Sequence, residues 1–146
     1  MRKAVLPLLL SVCILLGGCM NQASARVVED MYNAALVGND EYIQGIFSRY
    51  DEELDKPMEE VSKDLASQVQ HMQGVKNMSI QQLRKWEIQS GVVDRMTEKY
   101  EDNWHLIVAR LDEDRVNLWT VRKDGYYFIA GCEELRNEEY QQKILK

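Results

Sequence analysis

Apolar positions recur at helical spacing through the first polar third of the chain. Val28, Tyr32 and Ala35 fall at i, i+4 and i+7 behind Ser24, an N-cap residue type. Gly38 follows as a stop, so the pattern predicts a helix over 24–37. Asn39 and Asp40 can cap a second helix, whose apolar face is Ile43, Ile46, Phe47 and Tyr50. Pro57 suits the first turn of a third helix over 57–73, with Met58, Val61, Leu65 and Met72 aligned and Gly74 as its stop. Beyond Gly74 the period shortens. Ile80, Trp86 and Ile88 share a parity, so 75–89 reads as a strand interrupted by polar Gln82 and Arg84. Val93, Met96 and Tyr100 suit a short helix over 92–101, with a strand as the alternative. Three sharper strands follow at 104–111, 116–122 and 126–130. Asp112-Glu113-Asp114 separates the first pair, and the Asp-Gly step of Lys123-Asp124-Gly125 is a hairpin signal. The tail over 133–146 is polar and reads as helical or frayed.

Helices first and strands afterwards predict an α+β domain, with the N-terminal helices packed across the concave side of a curved antiparallel sheet. That sheet should end in a three-stranded meander. The pattern contains no internal repeat and no linker, so residues 24–146 read as one domain.

The first residues have a different character. Met1-Arg2-Lys3 is a short cationic start, and Ala4 to Leu16 carries no charge. This is the layout of a secretory signal, and it is shorter than the ~20 apolar residues that span a bilayer. Leu16-Gly17-Gly18-Cys19 resembles the lipobox of bacterial lipoproteins. The resemblance implies cleavage after Gly18 and a diacylglyceryl thioether on Cys19. Residues 1–18 would then be the signal, 19–23 a lipidated tether, and the protein would sit on the extracytoplasmic face of a cell membrane. In a Gram-negative host, Met20 after the cysteine would favour the outer membrane. A tether of five residues reaches roughly 15–20 Å when extended. Any partner should therefore be membrane-proximal.

Two stretches of the mature chain resemble nuclear-transport-factor-2-like, or cystatin-like, lipoprotein domains. One is Val27-Val28-Glu29-Asp30-Met31-Tyr32-Asn33-Ala34-Ala35-Leu36-Val37-Gly38-Asn39-Asp40, an apolar helix ending in a Gly-Asn step before a second short helix. The other is Lys123-Asp124-Gly125-Tyr126-Tyr127-Phe128-Ile129, which is similar to their final hairpin. The resemblance implies a cone-like domain. The long helix over 57–73 and the possible helix over 92–101 depart from that pattern.

Composition changes the picture in three places. The net charge is −6, with 18 basic and 24 acidic residues, and no basic patch stands out to suggest nucleic-acid binding. Removing residues 1–18 takes away Arg2 and Lys3, so the mature charge becomes 16 − 24 = −8. An acidic domain gains nothing from anionic lipid, which leaves attachment to the acyl chains alone. Of the three cysteines, Cys13 leaves with the signal and Cys19 is consumed by lipidation. Cys132 is then without an intrachain partner, reading as a small buried apolar residue or an intermolecular disulfide.

Nucleophile, metal and phosphate-loop motifs are absent from the sequence, so neither a cofactor nor a metal is expected. His71 sits at a helix end, where it suits the terminal carbonyls. His105, with Asp102 nearby, could form an acid–base pair on a strand. Asp51-Glu52-Glu53-Leu54-Asp55 with Glu59-Glu60 invites a calcium reading. It lacks the glycine and the ligand spacing of an EF-hand, so a solvated helix start is preferred. The aromatic residues are the strongest candidates for binding. Trp86, Trp104, Trp119, Tyr126, Tyr127 and Phe128 all fall on predicted strands, half expected in the core and half on an exposed face. The first five are the candidate binding residues.

These features predict a monomeric, non-catalytic lipoprotein that binds a membrane-proximal protein or a small apolar ligand. The alternatives are a small cone-fold enzyme using a buried acid or His105 as general base, and a surface-exclusion or immunity-type lipoprotein.

Overall fold

The computed structural model describes residues 22–50 and 54–146. The signal segment, Cys19 and the Asp51–Glu53 part of the acidic stretch lie outside the described residues.

Helix α1 (Ala23–Leu36) buries Val28, Met31, Tyr32 and Ala35 along one stripe. It closes in a Schellman turn: Gly38 takes φ +68°, its N–H donates to the Ala35 carbonyl, and the Asn39 N–H donates to that of Ala34. Ser24 is not the cap. The helix begins one residue earlier, and Ser24 lies buried in its first turn with its hydroxyl donating to Gln82 Oε1. Asn39 does cap α2 (Asp40–Phe47), accepting from the Tyr42 N–H at 3.2 Å. Pro57 occupies the cap position of α3 (Met58–His71), one residue before the first turn. Leu65 and Val69 are the fully buried apolar residues of α3.

The strands form one antiparallel sheet in the order β1 (Gln81–Gln82), β2 (His105–Arg110), β3 (Arg115–Asp124), β4 (Tyr126–Arg136). With α4 (Ser90–Tyr100) and α5 (Asn137–Lys143), the domain is α+β, with five helices and an open sheet among the described residues. The meander is as expected, and 92–101 is helical. No described helix is long and apolar enough to cross a membrane.

The layering differs from the expectation. Helices α1, α2 and α3 cover one face of the sheet, packing on Ile107, Ala109, Trp119, Val121 and Ile129. The opposite face is buried as well. Leu106, Val108, Val116, Leu118 and Leu135 pack there against Val92 and Tyr100 of α4, Tyr140 of α5, and Ile144. The sheet is therefore the middle of three layers, with α4, which follows β1, and α5, which follows β4, turning their few buried residues onto that face. This explains why Leu106-Ile107-Val108-Ala109 is apolar without alternation.

The strand expected over 75–89 is mostly not a strand. Two 3-10 turns, Val75–Met78 and Lys85–Glu87, flank the two-residue β1. Met78 and Ile80 belong to the first layer, whereas Leu83 and Ile88 belong to the second. The segment crosses the edge of the sheet, so a single parity could not describe it. Strand β4 also runs past Ala130 to Arg136. Thr120 pairs with Gly131 and Val121 with Ile129, so Ala130 is a bulge that turns the strand and brings Leu135 inward. Of the tail expected to be helical or frayed over 133–146, the first four residues belong to β4 and Asn137–Lys143 is helical, and the helix is fastened. Gln89 Nε2 donates to the carbonyls of Gln142 and Leu145, and the Gln89 N–H donates to that of Ile144 at 2.8 Å.

Candidate functional site

The aromatic candidates do not share a face. Trp119 is 4% exposed in the first layer, edge-on to Tyr32 and Phe47 at ring distances of 6.1 and 6.0 Å. Trp104 is 2% exposed in the second layer, its indole N–H donating to Thr97 Oγ1 at 3.3 Å. Both are core residues that offer no surface. Trp86 lies on a 3-10 turn, not a strand, and is 66% exposed beside the Arg84 guanidinium. Tyr126 opens β4 and is 48% exposed under Arg49. Tyr127 is half-buried against the first layer, 6.4 Å from the His105 ring, while Phe128 is buried.

The first layer contains a closed polar cluster that sequence patterning did not mark. The Trp119 indole N–H and the Asn117 side-chain amide both donate to the Tyr32 hydroxyl, at 3.3 and 3.2 Å. Tyr32 in turn donates to Gln68 Oε1 at 3.1 Å. Burial pushes the Tyr32 phenol far above its ordinary value, so it stays a neutral donor. All its bonding capacity is used within the core, which makes the cluster a fastening between α1, α3 and β3. A polar residue at i+4 of an apolar helix stripe, opposite a strand Asn, was the only available signal.

His105 is not paired with Asp102. Asp102 is turned to solvent and meets Lys85 Nζ at 3.3 Å. His105 Nδ1 instead accepts from Gln82 Nε2 at 3.2 Å, since Gln82 Oε1 is occupied by the Ser24 hydroxyl. Burial, and then the Lys85 charge, lower the imidazole below its usual value. A serine separated from the imidazole by an amide is not an activated nucleophile. His71 closes α3, as expected. Cys132 is a partly buried free cysteine whose thiol is pushed up, first by burial and then by Glu134 and Glu133. No group of three or more metal-ligating side chains occurs among the described residues.

One arrangement that could receive another molecule is a groove of about 220 Å³ beside α4. Val92, Met96 and Tyr100 form one wall, and Leu106 and Leu118 of the sheet lie beneath. The floor continues over Thr120 and Gly131, both only partly buried. Gly131 keeps it open: a Cβ there would meet nothing nearer than Thr120 Oγ1 at 3.8 Å, so the space is free to be filled. Arg95 and Lys99 stand on the helix side, and Glu133 on the strand side. None of these is among the five aromatic candidates.

Comparison with known proteins finds no matching family model, no matching curated protein and no matching solved structure.

Proposed function

We propose that the protein is a lipid-anchored extracytoplasmic docking module, held on a bilayer through Cys19, whose groove beside α4 takes an apolar side chain of a membrane-proximal protein. The groove carries this reading. Its volume of about 220 Å³ lies below the range of roughly 300–1,000 Å³ usual for small-molecule sites. It suits one anchoring side chain, the kind of buried contact that dominates protein interfaces. Arg95 and Lys99 would then meet acidic groups flanking that side chain. The anchor is inferred from Leu16-Gly17-Gly18-Cys19 and the uncharged run before it. We also infer a distant kinship with cystatin-like domains, supported by the order of α1, α2 and the closing hairpin, with α4 and α5 as an added second layer.

The test is a photo-reactive residue in place of Met96, activated in intact cells. The expected outcome is one discrete protein adduct, abolished by Gly131→Leu, which fills the groove. A cross-link that persists unchanged with Gly131→Leu, or none at all, contradicts docking at this groove. Co-purification of a stoichiometric small apolar molecule in native mass spectrometry would favour a ligand carrier instead.

A further inference from the structure

The groove and the anchor leave unassigned the end of the molecule from which the tether departs. Ser24, in the first turn of α1, bonds to Gln82, and Gln82 bonds to His105, the first residue of β2. The turn between β3 and β4 lies at the same end. Asn103, just before β2, donates to the Lys123 carbonyl at 2.9 Å and accepts from the Lys123 N–H at 3.0 Å. Arg122 Nε reaches the Asn103 carbonyl. Lys85 joins this end through Asp102 and lies 5.0 Å over the Trp104 ring. Arg49 joins it through Asp124.

Two of the four large hydrophobic residues exposed on the described surface stand here, Trp86 and Tyr126. Each has an arginine over its ring, Arg84 at 5.9 Å and Arg49 at 5.1 Å. Contacts bring Arg49, Arg84, Lys85, Arg122 and Lys123 to this end, and Arg26 lies in the first turn of α1. The acids among them are Glu87, Glu101, Asp102 and Asp124. Among the described residues, the Asp112-Glu113-Asp114 turn lies at the other end of β2 and β3.

We propose that this end lies directly on an anionic phospholipid surface, with Trp86 and Tyr126 among the headgroups and the lysines and arginines on lipid phosphates. The proposal rests on acylation of Cys19. Only four residue steps separate Cys19 from Ala23, at most about 14 Å of chain, so this end is the part of the domain brought to the bilayer. Tryptophan and tyrosine favour the interface, where one side of the ring is wet and the other apolar. Cations near an anionic surface are attracted within a Debye length. Whole-chain charge alone predicts repulsion, and the distribution of the charges reverses that expectation for this end.

The chain has three tryptophans, and two are buried, so indole quenching reports Trp86. The native full-length protein is reconstituted into vesicles of phosphatidylglycerol and phosphatidylcholine, the latter brominated near the headgroup. Flotation reads the anchor, and fluorescence reads the orientation. The expected result is flotation with a loss of up to one third of the emission, the share of one of three tryptophans. The loss should vanish in Trp86→Phe and shrink in Lys85→Glu/Lys123→Glu, with both variants still floating. Flotation without quenching, or quenching unchanged in Trp86→Phe, overturns the orientation while leaving the anchor standing. Protein that stays in the aqueous fraction overturns the anchor and the orientation together.

Discussion

Tyr32 shows how one hydroxyl can join three elements. It accepts from Trp119 and Asn117 on β3 and donates to Gln68 on α3, all within the first layer. Tyr32→Phe keeps the ring and leaves the Trp119 indole N–H unpartnered in the core. The expected cost is about 1–3 kcal/mol in urea denaturation, and an unchanged midpoint would contradict the fastening role. His105 makes a second residue-level prediction. Its folded value lies below the 6.5 of the free imidazole, so between the two the unfolded chain holds a proton that the folded chain does not. Its contribution to stability is complete above that value and is lost as pH falls from there towards the folded one. Protonation at Nδ1 also removes the acceptor of Gln82. The fall in denaturation midpoint between about pH 7.5 and 5.5 should be smaller in His105→Gln than in the parent. Equal slopes would show that the site does not titrate in that window. The sequence placed both buried tryptophans on the list of binding candidates because aromatic character is the same in a core and in an interface. Only the layer around them distinguishes the two.

At the scale of elements, stops and caps were the most legible features. Gly38 and Asn39 act where the sequence puts them, since a left-handed turn and an exposed amide each have one economical solution. The same logic makes a prediction at the end of α3. There the left-handed position falls on Gln73, at φ +59°, one residue before the glycine. The Gln73 N–H donates to the Gln70 carbonyl and the Gly74 N–H to that of Val69, the same pair of bonds that closes α1. Gln73→Gly should raise stability by about 0.5–1 kcal/mol, relief of the strained backbone outweighing the added chain entropy. A lowered melting temperature would contradict it. The segment over 75–89 was illegible because its apolar residues serve two layers, and periodicity presumes one. The extent of β4 was hidden for a related reason. Glu133 and Glu134 look like the end of a strand, yet Glu134 meets Arg115 on β3 at 3.0 Å, and the strand continues to Leu135.

At the scale of the whole molecule, the expectation put helices on one side of the sheet only; the continuous apolar run of β2 is the sequence feature that matches cover on both sides. The groove was not legible. It depends on a glycine in mid-strand, a short covering helix and the point at which that helix stops, and none of these has a sequence period. The proposed anchored module combines two features: a tether that would fix where the domain sits and a groove that would fix what it can hold. Everything in it depends on Cys19. Intact and peptide mass spectrometry of the protein purified from its own membranes measures that dependence most directly. The account predicts a mature chain beginning at Cys19, carrying a diacylglyceryl thioether, and a Cys19→Ala variant left uncleaved with residues 1–18 attached. A chain recovered soluble with an unmodified Cys19 would contradict it.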